Sequence, residues 1–205
     1  MEKEIADILL RSGAVSVNVK KPFRYASGIL SPIYCDNRVL ISEPENREII
    51  VGYFVDLVKD YDVDVIAGTA TAGIPWAAWV ADRLKKPMVF VRKEAKSHGK
   101  GKQIEGVIKK GQTVVVIEDL ISTGGSSFAA VEALRAVGAK VLSVIAIFTY
   151  EMASADELFS KGKCEVKALT KISALVDDMD KKDRDKVLEW GRDPAKWEEK
   201  MGFLR

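Results

Sequence analysis

Five short apolar runs constrain this chain more than any other feature. Residues 63–67, 88–91, 113–117, 141–148 and 166–169 are each apolar at almost every position and rich in valine and isoleucine. A run that does not alternate apolar with polar residues belongs to a strand covered on both faces. Between these runs lie stretches with helical spacing, at 74–84, 128–137 and 155–160. Strand and helix alternating in this way predict an α/β fold with a central parallel sheet flanked by crossover helices. Upstream, Ile5, Ile8 and Leu9 predict a helix stopped by Gly13. Ile49, Ile50, Tyr53, Phe54, Leu57 and Val58 predict one face of another, with Ser42 and Glu45 at capping-box spacing before it. Residues 22–38 contain Pro22, Gly28 and Pro32 and read as loop and short strand, so both ends of the chain are satellites of the core.

A chain of 205 residues suits one domain and can bury a core without staples. Lysine and arginine total 32 against 30 acids, a net charge of +2, so overall charge does not drive binding to nucleic acid or a membrane. Cys35, Cys164 and the only histidine, His98, are too few for a standard zinc site. No apolar run approaches the roughly 18 residues of a membrane span. The start has no signal-peptide form, and a cytoplasmic location is expected.

The most informative string is Thr-Val-Val-Val-Ile-Glu-Asp-Leu-Ile-Ser-Thr-Gly-Gly-Ser-Ser at 113–127. A buried strand ends in two acids, then a small-residue loop, then a helix. Ligands of open α/β sheets sit at the carboxyl ends of strands. Thr123, Gly124, Gly125 and Ser126 can offer successive N–H groups to an anion, and the helix behind them adds about half a positive charge. No lysine follows the glycines, so this is not a P-loop. Carboxylates repel phosphate but accept hydrogen bonds from sugar hydroxyls. Glu118 and Asp119 beside an anion cradle therefore point to a ribose 5-phosphate.

A second string, at 92–106, holds Arg92, Lys93, Lys96, His98, Lys100 and Lys102 with Gly99 and Gly101. A basic segment between two strands, with glycines as hinges, suits a lid over a polyanion such as pyrophosphate. A solvated charged loop is one alternative and a nucleic-acid contact a second, though one short loop in a chain of net charge +2 is thin support for the latter.

The string 113–127 resembles the phosphoribosyl-pyrophosphate (PRPP) motif of the type I phosphoribosyltransferases. Arg-Lys-Glu-Ala-Lys-Ser-His-Gly at 92–99, followed by Ile-Glu-Gly, is similar to the catalytic loop of the orotate phosphoribosyltransferase family. So is Tyr-Ala-Ser-Gly-Ile-Leu-Ser-Pro-Ile-Tyr-Cys-Asp-Asn-Arg at 25–38, which resembles that family's orotate-side segment. Ala72-Gly-Ile-Pro resembles its pyrophosphate-side loop, and Glu189-Trp-Gly-Arg-Asp-Pro the tail of one bacterial branch. The chain departs from the family at Ala26, at Thr71-Ala72 and at Thr149-Tyr150-Glu151, where many members carry a lysine, Tyr-Lys and an orotate-binding arginine.

The resemblance implies a type I phosphoribosyltransferase fold in one domain, 1–205. A hood would come from about 1–45 and the C-terminal segment, and the core from about 46–170. It implies transfer of the 5-phosphoribosyl group from PRPP to orotate, giving orotidine 5′-monophosphate and pyrophosphate in pyrimidine biosynthesis. Arg92, Lys93, Lys96 and His98 would meet pyrophosphate. Glu118, Asp119, Leu120, Ile121, Ser122, Thr123, Gly124, Gly125 and Ser126 would bind PRPP. Lys96, His98 and Asp119 would be catalytic, and Ser122 would touch orotate. Arg38 is the nearest cation for the orotate carboxylate, or else a member of a surface ion pair. Magnesium would arrive on PRPP, with no direct protein ligand. The partners would be the two substrates and a second copy of the chain in a homodimer with shared sites, without nucleic acid or membrane. Two other readings are a phosphoribosyltransferase for another base and a PRPP-sensing regulator on the same fold.

Overall fold

The structure, a computed structural model, describes residues 1–24, 30–93, 103–177 and 179–201. Helix α1 (Glu2–Arg11) is followed by four short strands, β1 (Val15–Val17), β2 (Phe23–Arg24), β3 (Leu30–Ser31) and β4 (Ile33–Cys35). A 3-10 turn at Asn37–Ser42 leads into α2 (Pro44–Val58). Then come β5 (Val65–Thr69), α3 (Gly73–Leu84), β6 (Met88–Val91), β7 (Ile104–Glu105), β8 (Thr113–Ile121) and α4 (Gly125–Ala136). The chain continues through β9 (Lys140–Thr149), α5 (Ala153–Lys161), β10 (Glu165–Lys171), α6 (Ile172–Leu175), α7 (Lys181–Arg192) and α8 (Pro194–Lys200).

The five apolar runs all become strands of one six-stranded sheet, ordered β10-β9-β8-β5-β6-β7. Its pairs are parallel except for β7, which runs antiparallel to β6 with Phe90 opposite Glu105 and Val91 opposite Ile104. That edge strand was not expected. Two residues are too few to leave a periodicity in the sequence, and it pairs only because β6 needs a neighbour.

The period of two along each strand divides the core. Ile66, Val115, Ile117, Ile145 and Ile147 pack with Ile5, Phe54, Trp76 and Trp190 of α1, α2, α3 and α7. Val65, Ala67, Val114, Val116, Val144 and Ala146 pack with Val131, Leu134 and Phe159 of α4 and α5. Helix α2 sits differently from expectation. Its buried positions are Ile50, Val51, Phe54, Val55 and Val58, while Ile49 is exposed. Both rows have helical spacing, and contact with α3 selects between them. Glu43 occupies its N-cap, where its carboxylate accepts from Asn46 Nδ2 at 2.6 Å rather than from a backbone N–H, and Pro44 opens the first turn, so Ser42 and Glu45 do not form the expected box.

The C-terminal helices close on the N-terminal hairpin. Trp190 Nε1 donates to the Leu30 carbonyl at 2.9 Å, and the Leu30 N–H donates to the Glu198 carboxylate. No helix among the described residues is long and apolar enough to cross a membrane.

Candidate active site

All the parallel strands end on one edge of the sheet, and of the residues singled out in the sequence Arg92, Glu118, Asp119 and 122–126 lie there, because the crossovers return each strand in the same direction. The strand carrying the acids is longer than expected. β8 does not stop before them but runs through Glu118 and Asp119 to Ile121, paired with β9 at Glu118–Ala146, Leu120–Phe148 and Ile121–Thr149. Strand β5, its other neighbour, pairs only as far as Gly68 opposite Ile117. The acids therefore sit where one side of the strand is open, the cleft that parallel sheets use for ligands.

Glu118 continues the row of Val114 and Val116 and turns to α4, where Ser127 Oγ donates to Glu118 Oε2 at 2.9 Å. Glu118 is 5% exposed. Burial first, then the neighbouring Asp119, push its pKa from 4.5 up to about 8. Burial also raises Asp119, and the nearby Arg38 opposes that rise. Burial and the adjacent carboxylate both favour the neutral form of Glu118, the more buried of the two acids. Asp119, which is half-buried, is the acid left to act as the anion.

The raised pKa makes stability depend on pH with a definite sign. The folded protein holds a proton that the unfolded chain releases near pH 4.5, so the contribution is fully present below that pH and is lost as pH rises through about 8. Glu118→Gln cannot ionise. Thermal melts at about pH 9 should place this variant above the parent by on the order of 2 kcal/mol, roughly 4–8 °C, with no gain at about pH 4. Parallel melting curves across that range would contradict the assignment.

The cradle begins at Ser122. Gly124 caps α4 with φ +79°, a conformation suited to glycine, and an added Cβ there would lie 2.7 Å from the Phe159 ring. Gly125 has open space around its would-be Cβ. Helix α4 starts at Gly125, three residues before the expected Phe128, and no side chain caps it. Its first helical bond is Phe128 N–H to the Gly124 carbonyl at 2.8 Å. The N–H groups ahead of it have no place in the helix's own ladder, and such groups are the donors an anion site uses. Thr123, Gly125 and Ser126 are exposed and Ser122 half-buried. Leu120 and Ile121 are strand residues and Ile121 is buried, so what they can offer a ligand is backbone.

The start of α3 closes the floor. A Cβ on Gly73 would stand 2.6 Å from the Ile117 carbonyl oxygen, so only glycine lets this turn lie against β8. Thr69, the last residue of β5, has a buried hydroxyl without a hydrogen-bond partner. The Ala70–Thr71 peptide beside it is cis.

Arg92 follows β6 and is braced by β7. Its N–H donates to the Gln103 carbonyl at 2.9 Å, and its guanidinium lies 3.5 Å from the Glu105 carboxylate. Lys93 is exposed beside it. Lys96 and His98 lie outside the described residues, as does 25–29 of the orotate-side segment. Arg38 forks onto Asp36 at 2.6 and 2.8 Å with its side chain 66% exposed, the geometry of a surface ion pair, while its charge still reaches Asp119. Tyr150 is buried edge-on between Phe148 at 5.1 Å and Trp190 at 5.4 Å.

Three residues escaped the sequence reading. Ser127 lies one residue past the cradle, and its signal was the strand-to-helix geometry that returns the first turn to Glu118. Asn37 is 1% exposed and its Nδ2 donates to the Asp119 carbonyl at 2.7 Å, 82 residues away. Trp190 left no local signal of its partner Leu30.

Residues 39–182 match the phosphoribosyl transferase domain, a stretch that contains the acids, the cradle and Arg92. The chain is 50% identical over 203 residues to an orotate phosphoribosyltransferase of Coxiella burnetii, covering 95% of this chain and 97% of that one. Among solved structures, orotate phosphoribosyltransferase from Aeropyrum pernix superposes with a TM-score of 0.75 at 30% identity, covering 85% of this chain and 97% of that one. UMP synthase of Leishmania donovani superposes with a TM-score of 0.76 at 27% identity over 91% of this chain, which spans 42% of that longer protein. With 95% of the chain covered, the likeness extends beyond residues 39–182 into both ends, where the N-terminal hairpin and the Trp190 helix meet. The chain belongs to the phosphoribosyltransferase family and, within it, to the orotate phosphoribosyltransferases.

Proposed function

We propose that this chain transfers the 5-phosphoribosyl group of PRPP to orotate, releasing pyrophosphate and forming orotidine 5′-monophosphate, as a cytoplasmic step of pyrimidine nucleotide synthesis. The observation that carries this is the run of β8 through Glu118 and Asp119 directly into the α4 cradle. It sets hydroxyl acceptors one short loop from an anion site. The 5-phosphate binds the N–H groups of Thr123 to Ser126, and the ribose hydroxyls bind the acid pair. Breaking the bond from the anomeric carbon to pyrophosphate builds oxocarbenium character on the ring, which the Asp119 carboxylate stabilises. The leaving oxygens take their countercharge from Arg92, Lys93, Lys96 and His98. The electron pair of the broken bond goes to pyrophosphate; orotate that binds already deprotonated at its ring nitrogen uses that nitrogen's lone pair for the new bond, so no general base is required.

Magnesium bound to PRPP supplies further charge neutralisation. The donor set suits a metal that keeps its phosphate and water ligands. Among the described residues no group of three or more His, Cys, Asp or Glu side chains gathers in a way that could hold a metal, and Glu118 is already engaged by Ser127. No residue of this chain is assigned to it directly. Residues 1–45 and the C-terminal helices form a hood over the 46–170 core, with Ser122 on the orotate side. Arg38 is the candidate partner of the orotate carboxylate and would have to exchange Asp36 for it.

The test is loss of orotate absorbance with PRPP and magnesium, run beside uracil, adenine and hypoxanthine. Consumption of a purine and not orotate would leave the fold and overturn the base.

The active unit is a two-fold dimer in which the basic loop serves the partner's PRPP site. Chains carrying Lys96→Ala and chains carrying Asp119→Asn, each nearly inactive alone, should regain about one quarter of parent activity after subunit exchange, because half the dimers are mixed and each has one intact site. No gain after exchange verified by mass would end the shared-site reading.

A further inference from the structure

The backbone of Asp119 is held by side chains rather than by the sheet. The register of β8 on β9 passes from Glu118 to Leu120, and pairing with β5 has already ended at Ile117. Both backbone groups of Asp119 are nevertheless satisfied. Its N–H donates to Glu118 Oε1 at 3.1 Å, and its carbonyl accepts from Asn37 Nδ2 at 2.7 Å. Asn37 itself is locked, because its Oδ1 accepts from the Cys35 thiol at 3.2 Å. Turning the amide over would set oxygen against the Asp119 carbonyl, so only one orientation satisfies both neighbours. A 1% exposed amide between an N-terminal hairpin and a catalytic-edge strand is costly without partners, and both its oxygen and its nitrogen have one.

We infer that Asn37 is a positioning residue for the transfer reaction, supplying the hydrogen bond that β5 no longer gives and so fixing the Asp119 carboxylate against the ribose. This rests on the reading of Asp119 as the acid that faces the ribose. It also links the two substrate sides of the site. The turn that begins at Asn37 also carries Arg38, so Asn37 ties the strand that holds the sugar to the proposed orotate side. Asn37 does not touch the reacting atoms, and its effect is on their alignment. Displacement of a reacting group by about 1 Å costs as much as 100-fold.

Two variants separate alignment from simple packing. Asn37→Ala removes the donor at every pH and should lower kcat/KM for PRPP by roughly 10- to 100-fold, mostly in kcat. Asn37→Asp keeps the shape. Ionised, it turns an oxygen on the Asp119 carbonyl; protonated, it offers an O–H donor. The groups around position 37 are Cys35 and Asp36 before it, Arg38 after it, and Glu118 and Asp119 on β8. Burial among these acids favours its protonated form as pH falls.

The activity of Asn37→Asp relative to the parent should therefore rise several-fold from about pH 8.5 to about pH 5.5, while the ratio for Asn37→Ala stays flat. Should Asn37→Ala fail to fold, the isosteric variant carries the test alone. Folded variants with parent kcat/KM within about twofold, or an Asn37→Asp ratio that does not change with pH, overturn the inference. A parent that consumes no orotate with PRPP overturns the function and the inference with it; a working parent with unaffected variants overturns the inference alone.

Discussion

Asp119→Asn is expected to lower kcat at saturating PRPP by roughly 10²- to 10³-fold, the usual loss when one preorganised group facing developing charge is removed. Asparagine preserves the shape and can still accept from a hydroxyl, so the effect isolates the negative charge. Stability should not suffer. Burial already pushes the Asp119 carboxyl towards its neutral form, and a neutral amide relieves that cost. Its backbone bonds from Asn37 and to Glu118 do not depend on its own side chain. Steady-state turnover and a thermal melt of the same preparation give both readings. Unchanged turnover would take the Asp119 charge out of the reaction and remove the basis of the proposed chemistry.

Gly73→Ala is expected to destabilise the fold by roughly 3 kcal/mol, near the upper end for an added methyl group in a tight site. The obstacle is backbone rather than a movable side chain. The new Cβ would meet the Ile117 carbonyl oxygen at 2.6 Å and the Glu118 Cα at 3.3 Å. Relief requires α3 to move off β8 at the point where the acids begin, so activity should fall together with stability. Gly52 is the control: an added Cβ there meets nothing within 4 Å, and it lies inside α2. Alanine at that position should gain about 0.5–1 kcal/mol from helix propensity. Urea midpoints for the two variants should move in opposite directions. A Gly73→Ala midpoint equal to the parent would show that the contact is soft.

Local pattern determined much of this protein. The five apolar runs specified five sheet strands, because a strand buried on both faces has to be apolar at successive positions. The order Glu-Asp, small loop, helix specified the cradle, because anion binding there uses backbone groups and needs only small residues in sequence. These are short-range requirements, and they are written where they act.

The tertiary structure decided what depends on distant partners. Helix α2 had two adjacent apolar rows, and packing selected the one with Val51 and Val55. Strand β8 continued through two acids because β9 was beside it, although propensity would stop it at Ile117. Tyr150 was placed by Trp190 and Phe148, which make it part of an aromatic column. Asn37 reads locally as a turn residue, since asparagine favours turns. Its role came from a carbonyl 82 residues away that lost its strand neighbour and took a side-chain amide instead. A chain records its own conformational preferences at each position, but the identity of a long-range hydrogen-bond partner exists only once the fold has brought the two together.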